Sequence, residues 1–279
     1  MRAPRKSSGS SLRVQFSVDD PSEAHSGWYA AFAARYDRLY SRPERVRFAA
    51  PFLEDVLRRH APGIEVLDVA CGTFGLDLPL LASGYHIVGR DLSPAMVDQA
   101  RRALRSSRRR ADVGRADMRT LNLGRTFDAV LCLGTAFNYL VEPAEIRTAM
   151  RVFRKHLRPG GILILDLTNF DAWIRNPMNA RADVDEVFPD GLRVIVFGLN
   201  DQDLRQRIHH ARFITAVKQG QRLDLRFSEA PLRIWRQKDL GGLLRRSGFG
   251  ILGWAGDLRI GRSYNPRTSP RLVAVAVRR

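Results

Sequence analysis

The chain has little cysteine, little lysine and no long apolar run. Only Cys71 and Cys132 occur in 279 residues, too few for a disulfide scaffold and unsuited to a four-thiolate metal site, so no metal is expected. A reducing, cytoplasmic setting is the default that follows. The densest apolar runs, 162–167 and 272–277, fall far short of the roughly 18 residues a membrane-spanning helix needs. Residues 1–11 are basic and serine-rich, but no apolar stretch follows that could form a signal-peptide core, so neither export nor a membrane partner is expected. Lysine occurs only at Lys6, Lys155, Lys218 and Lys238, so arginine dominates the 46 basic residues, which against 29 acidic ones leave a net charge of +17. That charge would suit a polyanion. An arginine skew of this kind also follows from GC-rich coding, and net charge speaks to solubility and loose association rather than to fold.

What is present is an ordinary globular balance, 44% hydrophobic and 27% charged, which excludes a disordered or fibrous chain. The length allows one large domain or a core with a small appendage. The densest basic cluster, Arg101, Arg102, Arg105, Arg108, Arg109, Arg110 and Arg115, sits at a predicted helix end, where cations suit the dipole. Residues 1–22 lack apolar periodicity and read as a flexible basic tail. Over 23–62 two helical stripes follow, one through Trp28, Ala31, Phe32, Tyr36 and Tyr40, the other through Phe48, Phe52, Val56 and Leu57. From residue 64 the rhythm changes to short apolar runs at 64–69, 86–89, 112–114, 127–133 and 161–167, alternating with helical patterns near 76–83, 93–105 and 143–156. That alternation predicts a doubly wound α/β domain with a parallel sheet. Between 176 and 232, strand-like runs at 184–188, 192–199, 207–217 and 222–227 are joined by turn signals such as Pro189-Asp190-Gly191, which predicts an antiparallel β insertion within a core spanning 63–175 and 233–279. A helix over 237–246 and strands near 250–255 and 271–277 close the chain.

The most informative stretch is Val66-Leu67-Asp68-Val69-Ala70-Cys71-Gly72-Thr73-Phe74-Gly75. It reads as a buried strand ending in a small-residue loop that opens a helix, a geometry in which backbone N–H groups hold a polar ligand. The next strand ends at Gly89-Arg90-Asp91, placing a carboxylate where related folds hold ribose hydroxyls. The third ends at Ala116-Asp117-Met118, where a carboxylate can accept from an adenine amino group and a thioether can pack on the ring. Three strand ends in order describe an adenosine site. The spacing does not match the Gly-x-Gly-x-x-Gly turn of nicotinamide enzymes, because Ala70 takes the place of the first glycine.

With these motifs the sequence resembles the class I S-adenosylmethionine-dependent methyltransferases, and among them the small-molecule enzymes of the glycine N-methyltransferase kind. Besides the first stretch, the resemblance rests on the run from Phe127 through Asp128, Leu131 and Cys132 to Gly134, on Gly160-Gly161 leading to Asp166 and then Asn169-Phe170-Asp171, and on Gly256-Asp257-Leu258. It implies a seven-stranded Rossmann-like methyltransferase sheet whose last strand, 271–277, runs antiparallel, with N-terminal cap helices over 23–62 and the insertion 176–232 as a lid. It implies S-adenosylmethionine (SAM) as cofactor and a small-molecule methyl acceptor as partner. Carried over by position, Ala70 and Gly72 contact the cofactor through backbone, with Asp68 in the strand before them; Asp91, beside Leu92, holds the ribose; Met96 lines the adenine pocket; Asp117 and Met118 bind the adenine; and Leu133 meets the cofactor. Tyr40 and Arg47 match residues at the methionine end, Arg47 pairing with the carboxylate, a task suited to arginine.

The departures bear on the acceptor. Where the glycine enzymes carry a substrate-reading arginine, this chain has Thr168; a helping asparagine is replaced by Thr135, and a tyrosine near the N-terminus by Trp28. Glycine is therefore not the expected substrate. Phe74 replaces a small residue and is expected to reshape the methionine pocket. Tyr139 stands where the glycine enzymes have histidine and is the candidate catalytic group, with Asn138, Thr135, Thr168, His209 and Arg233 as candidate substrate contacts. His209 and His210 must point to opposite strand faces, so at most one faces the pocket; Trp235 and Tyr264 are further candidates. The expectation is methyl transfer to nitrogen or oxygen of a small metabolite, with positioning as the main catalytic device. The alternative is an RNA methyltransferase using the basic surface, although the loop Gly134-Thr135-Ala136-Phe137 lacks the Asn/Asp-Pro-Pro-aromatic motif of enzymes acting on base amino groups.

Overall fold

The computed structural model of the chain describes residues 13–18, 33, 36–39, 43–175 and 180–279. Trp28 and Tyr40 lie outside the described residues. Two sheets organise the rest. The larger has seven strands in the order β11-β12-β6-β5-β2-β3-β4, formed by β2 (Glu65–Val69), β3 (His86–Asp91), β4 (Asp112–Arg115), β5 (Phe127–Cys132), β6 (Leu157–Thr168), β11 (Phe249–Ala255) and β12 (Arg271–Arg278). The first five run parallel, while β12 is antiparallel to both β6 and β11. Strands β2 and β5 are buried along nearly their whole length, as expected when helices cover both faces of a parallel sheet.

Alternate residues point to opposite faces and build two cores. On one face Leu67, Val130, Cys132, Leu163 and Leu165 pack with Ile146, Met150 and Phe153 of helix Pro143–His156 and with Leu240 and Leu244 of helix Gln237–Arg246. On the other, Val66, Ala129, Leu131, Ile162 and Ile164 pack with Leu53 and Leu57 of helix Pro43–His60, Leu80 of helix Asp77–Ala82 and Val97 and Leu104 of helix Pro94–Ser106. The last of these starts on a Ser93 cap that accepts from Met96 N, with Pro94 in its first turn.

The smaller sheet has five strands in the order β1-β10-β9-β8-β7: β1 (Arg13–Val18), β7 (Ala180–Val187), β8 (Arg193–Asp203), β9 (Ile208–Gln219) and β10 (Arg222–Arg233). It is antiparallel except at β1, which pairs parallel with β10 from Arg13↔Arg222 to Val18↔Phe227. This corrects the expectation of a tail over the whole of 1–22: Val14, Phe16 and Val18 alternate as a strand does, and their partner is some 200 residues away, where no local pattern can reveal it. Pro231 lies in β10 beyond Phe227, the last residue that β1 pairs among the described residues, where an edge position tolerates proline.

Part of the arginine cluster is occupied. Arg101, Arg109 and Arg115 donate to the carbonyls of Val113 in β4, Leu81 in helix Asp77–Ala82 and Leu92 in the loop after β3, so these cations satisfy local backbone. No helix among the described residues is long and apolar enough to cross a membrane, and none of the described residues form a group of three or more potential metal ligands.

Candidate active site

A cavity of about 280 Å³ opens at the C-terminal ends of β2, β3, β4 and β5, where parallel α/β sheets place their ligands. The loop after β2 is fastened to β3: Ala70 N and Cys71 N both donate to Arg90 O, at 2.6 and 3.0 Å. Asp91 accepts from Gly72 N at 2.8 Å and from Ser93 N at 2.9 Å. Each carboxylate oxygen is thus fixed by one backbone donor and retains a second acceptor position. Burial nonetheless pushes the Asp91 carboxyl above its usual range, against both hydrogen bonds.

Ala70, Gly72 and Phe74 all adopt positive φ, at 70°, 55° and 70°. A Cβ on Gly72 would meet nothing within 4 Å, so glycine is favoured there by conformation and not by lack of space, and it leaves the backbone open to the cavity. Phe74 is a different case. Its side chain is fully buried away from the cavity wall, and a Cβ added to Gly89 of β3 would lie 2.7 Å from its ring and 2.9 Å from Cys71 Sγ. The expectation that Phe74 reshapes the ligand pocket is therefore corrected: the positive φ turns its ring into the core beneath the loop, where the missing side chain of Gly89 makes room.

Two carboxyls lie under the same loop. Asp68 is 2% exposed and lines the cavity, and Asp77, opening helix Asp77–Ala82, is 1% exposed. Asp68 Oδ1 and both oxygens of Asp77 find no donor among the described residues. Burial and the facing acid raise Asp68 well above the usual carboxylate range, and burial lifts Asp77 to about 7. At the opposite wall Arg119 grips Asp117 through both carboxylate oxygens, at 2.6 to 3.0 Å, and also pairs with Glu145 of helix Pro143–His156. Burial pushes Asp117 up, but the hydrogen bonds and charge of Arg119 outweigh it and hold the carboxyl below its usual range.

The remaining wall comes from the N-terminal side and the loop after β5. Tyr36, Arg45, Leu133, Gly134, Tyr139 and Pro231 face the space. Burial drives the Tyr36 phenol up to about 12. Helix Tyr36–Leu39 is tied to the loop by a hydrogen bond from Thr73 Oγ1 to Asp37. Arg45 reaches past the cavity to Asp166 at 3.3 Å, and Asp166 also accepts from Gly134 N at 3.0 Å and from Arg271 Nε at 2.7 Å.

Of the residues expected to hold a cofactor, Asp68, Ala70, Gly72, Asp91, Leu92, Met96, Asp117, Met118 and Leu133 all line this cavity. Arg47 does not. It is exposed, and Arg45 takes the cavity wall instead; the two lie about 200° apart around the helix, so only one can face inward. Tyr139 lines the cavity, whereas Thr135, Asn138, Thr168, His209 and Arg233 lie outside its lining. Thr135 sits at φ 77°, bonded to Thr168 at 2.9 Å, and both accept from Arg271 Nη1. The Asn138 amide donates to Arg233 O and its oxygen accepts from Thr168 N, pinning β10 to the core. His209 is buried between Phe170 and Trp173, with Nε2 at 3.1 Å from Asn200 Oδ1, while His210 lies near Glu229. Trp235 stacks on Phe137 in the core, and Tyr264 donates to Asn169. Sequence reasoning missed Tyr36, Arg45, Arg119, Glu145 and Pro231. Only Arg119 had a local signal, through its place directly after Asp117-Met118.

Residues 66–161 match the family model described as a methyltransferase domain. The chain is 34% identical over 159 residues to a glycine/sarcosine N-methyltransferase of Parasynechococcus marenigrum, with 56% of each chain covered. It is 37% identical over 116 residues to a dTDP-3-amino-3,6-dideoxy-alpha-D-glucopyranose N,N-dimethyltransferase of Streptomyces fradiae, covering 41% of this chain and 44% of that one. The matched stretch spans about half the length of these curated relatives. In structure it is similar to an amino pentose methyltransferase of Micromonospora echinaspora solved with SAM bound: TM-score 0.67 and 25% identity, covering 89% of this chain and 97% of the other.

Proposed function

We propose that this chain, a class I SAM-dependent methyltransferase by its domain match and its fold, methylates a neutral amine nitrogen on a small acceptor of the amino-sugar class that carries no carboxylate. The observation that carries the choice of acceptor is the state of the arginines on the cavity wall. Arg119 is engaged by Asp117 and Glu145, and Arg45 is shared with Asp166. Neither is left over to read an acceptor carboxylate once Arg45 also serves the methionine end. The curated relatives include an amino-sugar dimethyltransferase beside the glycine/sarcosine enzymes, and they give the RNA alternative no support.

The wall fits the cofactor. Asp91, fixed by Gly72 N and Ser93 N, would hold a pair of vicinal hydroxyls, Asp117, kept ionised by Arg119, would accept from an amino group, and Met96, Met118 and Leu133 would supply an apolar slot between them. Bound SAM supplies a methyl group activated by a positively charged sulfur. The chain's part is to align the acceptor with it and to exclude water, the source of large effective concentrations. Tyr36 and Tyr139 offer hydroxyls at the acceptor end. Tyr36 keeps its proton at neutral pH, so it orients the acceptor and does not serve as a base. The amine therefore arrives neutral, and kcat/KM is expected to rise about tenfold per pH unit up to the acceptor's own pKa.

The experiment is incubation with methyl-labelled SAM and a panel of amino sugars, glycine, sarcosine and RNA. Label in an amino sugar supports the reading; comparable turnover of glycine overturns the carboxylate-free acceptor, and label in RNA overturns the small-molecule class. Tyr139→Phe is expected to lower kcat by about 10- to 100-fold with the KM for SAM little changed. Arg45→Met is expected to weaken SAM binding by about 10- to 100-fold, as for a lost charge-assisted hydrogen bond, while leaving the melting temperature nearly unchanged because Arg271 and Gly134 still satisfy Asp166. Calorimetry and thermal melts separate the two effects.

A further inference from the structure

Asp68 and Asp77 face each other beneath the ligand loop in a place where neither has a cation. Among the described residues no guanidinium, ammonium or imidazole lies within 4 Å of either carboxyl, and three of the four oxygens are buried without a donor. The surroundings add negative charge or none. Asp91 stands on β3, the buried thiols of Cys71 and Cys132 lie in the loop and on β5, and Asp37 is across the loop, bonded to Thr73. Tyr36 and Arg45 line the same cavity, Arg45 turned to Asp166. Two buried like charges without a counterion are costly enough that one is neutralised by a proton, which also supplies the missing donor between them.

We infer that Asp68 and Asp77 hold one proton between them in the ligand-free protein, and that they release it to solvent when SAM, a net cation, binds in front of Asp68, making cofactor capture a proton-linked step with Asp77 as its positioning residue. The inference rests on SAM as the ligand. The O–H bond of one carboxylic acid breaks, the proton goes to buffer, and the pair gains the charge that the sulfonium compensates. Asp68 lines the cavity and Asp77 does not, so the part of Asp77 is to set the charge that Asp68 presents. The two acids titrate as a unit with macroscopic steps of their own, the upper step above the ordinary carboxylate range.

The test is calorimetric titration of the full-length protein with SAM in two buffers of different ionisation heat, between about pH 5.5 and 7. The wild type is expected to release up to one proton and to tighten its affinity by as much as about tenfold per pH unit. Asp77→Asn gives Asp68 a permanent amide donor, and is expected to abolish the release and flatten the affinity over the same range. A pH-independent affinity with no buffer dependence in the wild type overturns the inference while SAM binding itself stands. Absence of any SAM binding overturns the cofactor reading instead. In either case, carbon NMR of carboxyl-labelled aspartate in the ligand-free wild type decides whether the proton is held: a carboxyl resonance titrating well above the others supports it, and all aspartates titrating in the ordinary range overturn it.

Discussion

An Asp91→Ala variant is expected to bind SAM at least about 100-fold more weakly than the wild type while remaining folded. Asp91 does two things at once. Its oxygens face the cavity, where a vicinal diol would take two charge-assisted hydrogen bonds, each worth about 1.5–3 kcal/mol. The same oxygens hold Gly72 N and Ser93 N, and so fix both the loop after β2 and the start of helix Pro94–Ser106. Alanine removes the ligand contact and frees the loop that frames it. Asp91→Asn is expected to fare little better, because its amide N–H₂ must confront one of the two backbone donors. Isothermal calorimetry reads the affinity and circular dichroism the fold; an affinity within about threefold of wild type would show that the diol is held elsewhere.

Gly89→Ala is expected to destabilise the protein by about 2–3 kcal/mol and to cost most of its SAM affinity, although the added methyl group never touches the cavity. The Cβ would enter the ring of Phe74. That ring has no exit, since Phe74 is fully buried, and β3 cannot step aside because Gly89 is paired with Asp68 on one side and Val113 on the other. The strain passes instead to the loop, whose residues at 70, 72 and 74 already hold positive φ. In a Phe74→Gly background the ring is gone and glycine suits the φ of 70°, so the added alanine should there cost much less, with only the contact to Cys71 Sγ left to relieve. A double-mutant cycle in urea should give a coupling of more than about 1 kcal/mol, and additive effects would show that the clash is not the cause.

The pairing of Phe74 with Gly89 marks where sequence reading reached and where it stopped. The strands of the large sheet, and the loop, Asp91 and Asp117 that end three of them, were legible because apolar runs, small-residue loops and strand-end carboxylates are local patterns. The ring direction of Phe74 was not, because it depends on a backbone angle and on a glycine 15 positions later on a neighbouring strand. Arg45 and Arg47 are equally good by residue type and differ only in helical phase, which the position of the helix on the sheet decides. Thr135 and Thr168 read as acceptor contacts because they replace such contacts in similar enzymes; what fills their surroundings is Arg271, from the last strand. His209 read as a substrate contact from its place on a strand of the insertion, and it packs between two aromatic rings. In each case the deciding partner is distant in the chain.

The parallel contact between β1 and β10 carries a consequence for biosynthesis. Arg13 leaves the ribosome before its partner Arg222, which follows only after some 200 more residues have been made, a wait of roughly 10–40 s at typical elongation rates. Through that interval β1 has no neighbour to complete its hydrogen bonds, and its alternation of Val14, Phe16 and Val18 is the kind of free edge that invites wrong pairing. The strand carries Arg13 at its start, and the stretch before it holds Arg2, Arg5 and Lys6. A basic flank of this kind discourages a second nascent copy from docking on the same edge. A strand made some 200 residues ahead of its partner is thus among the last to be locked.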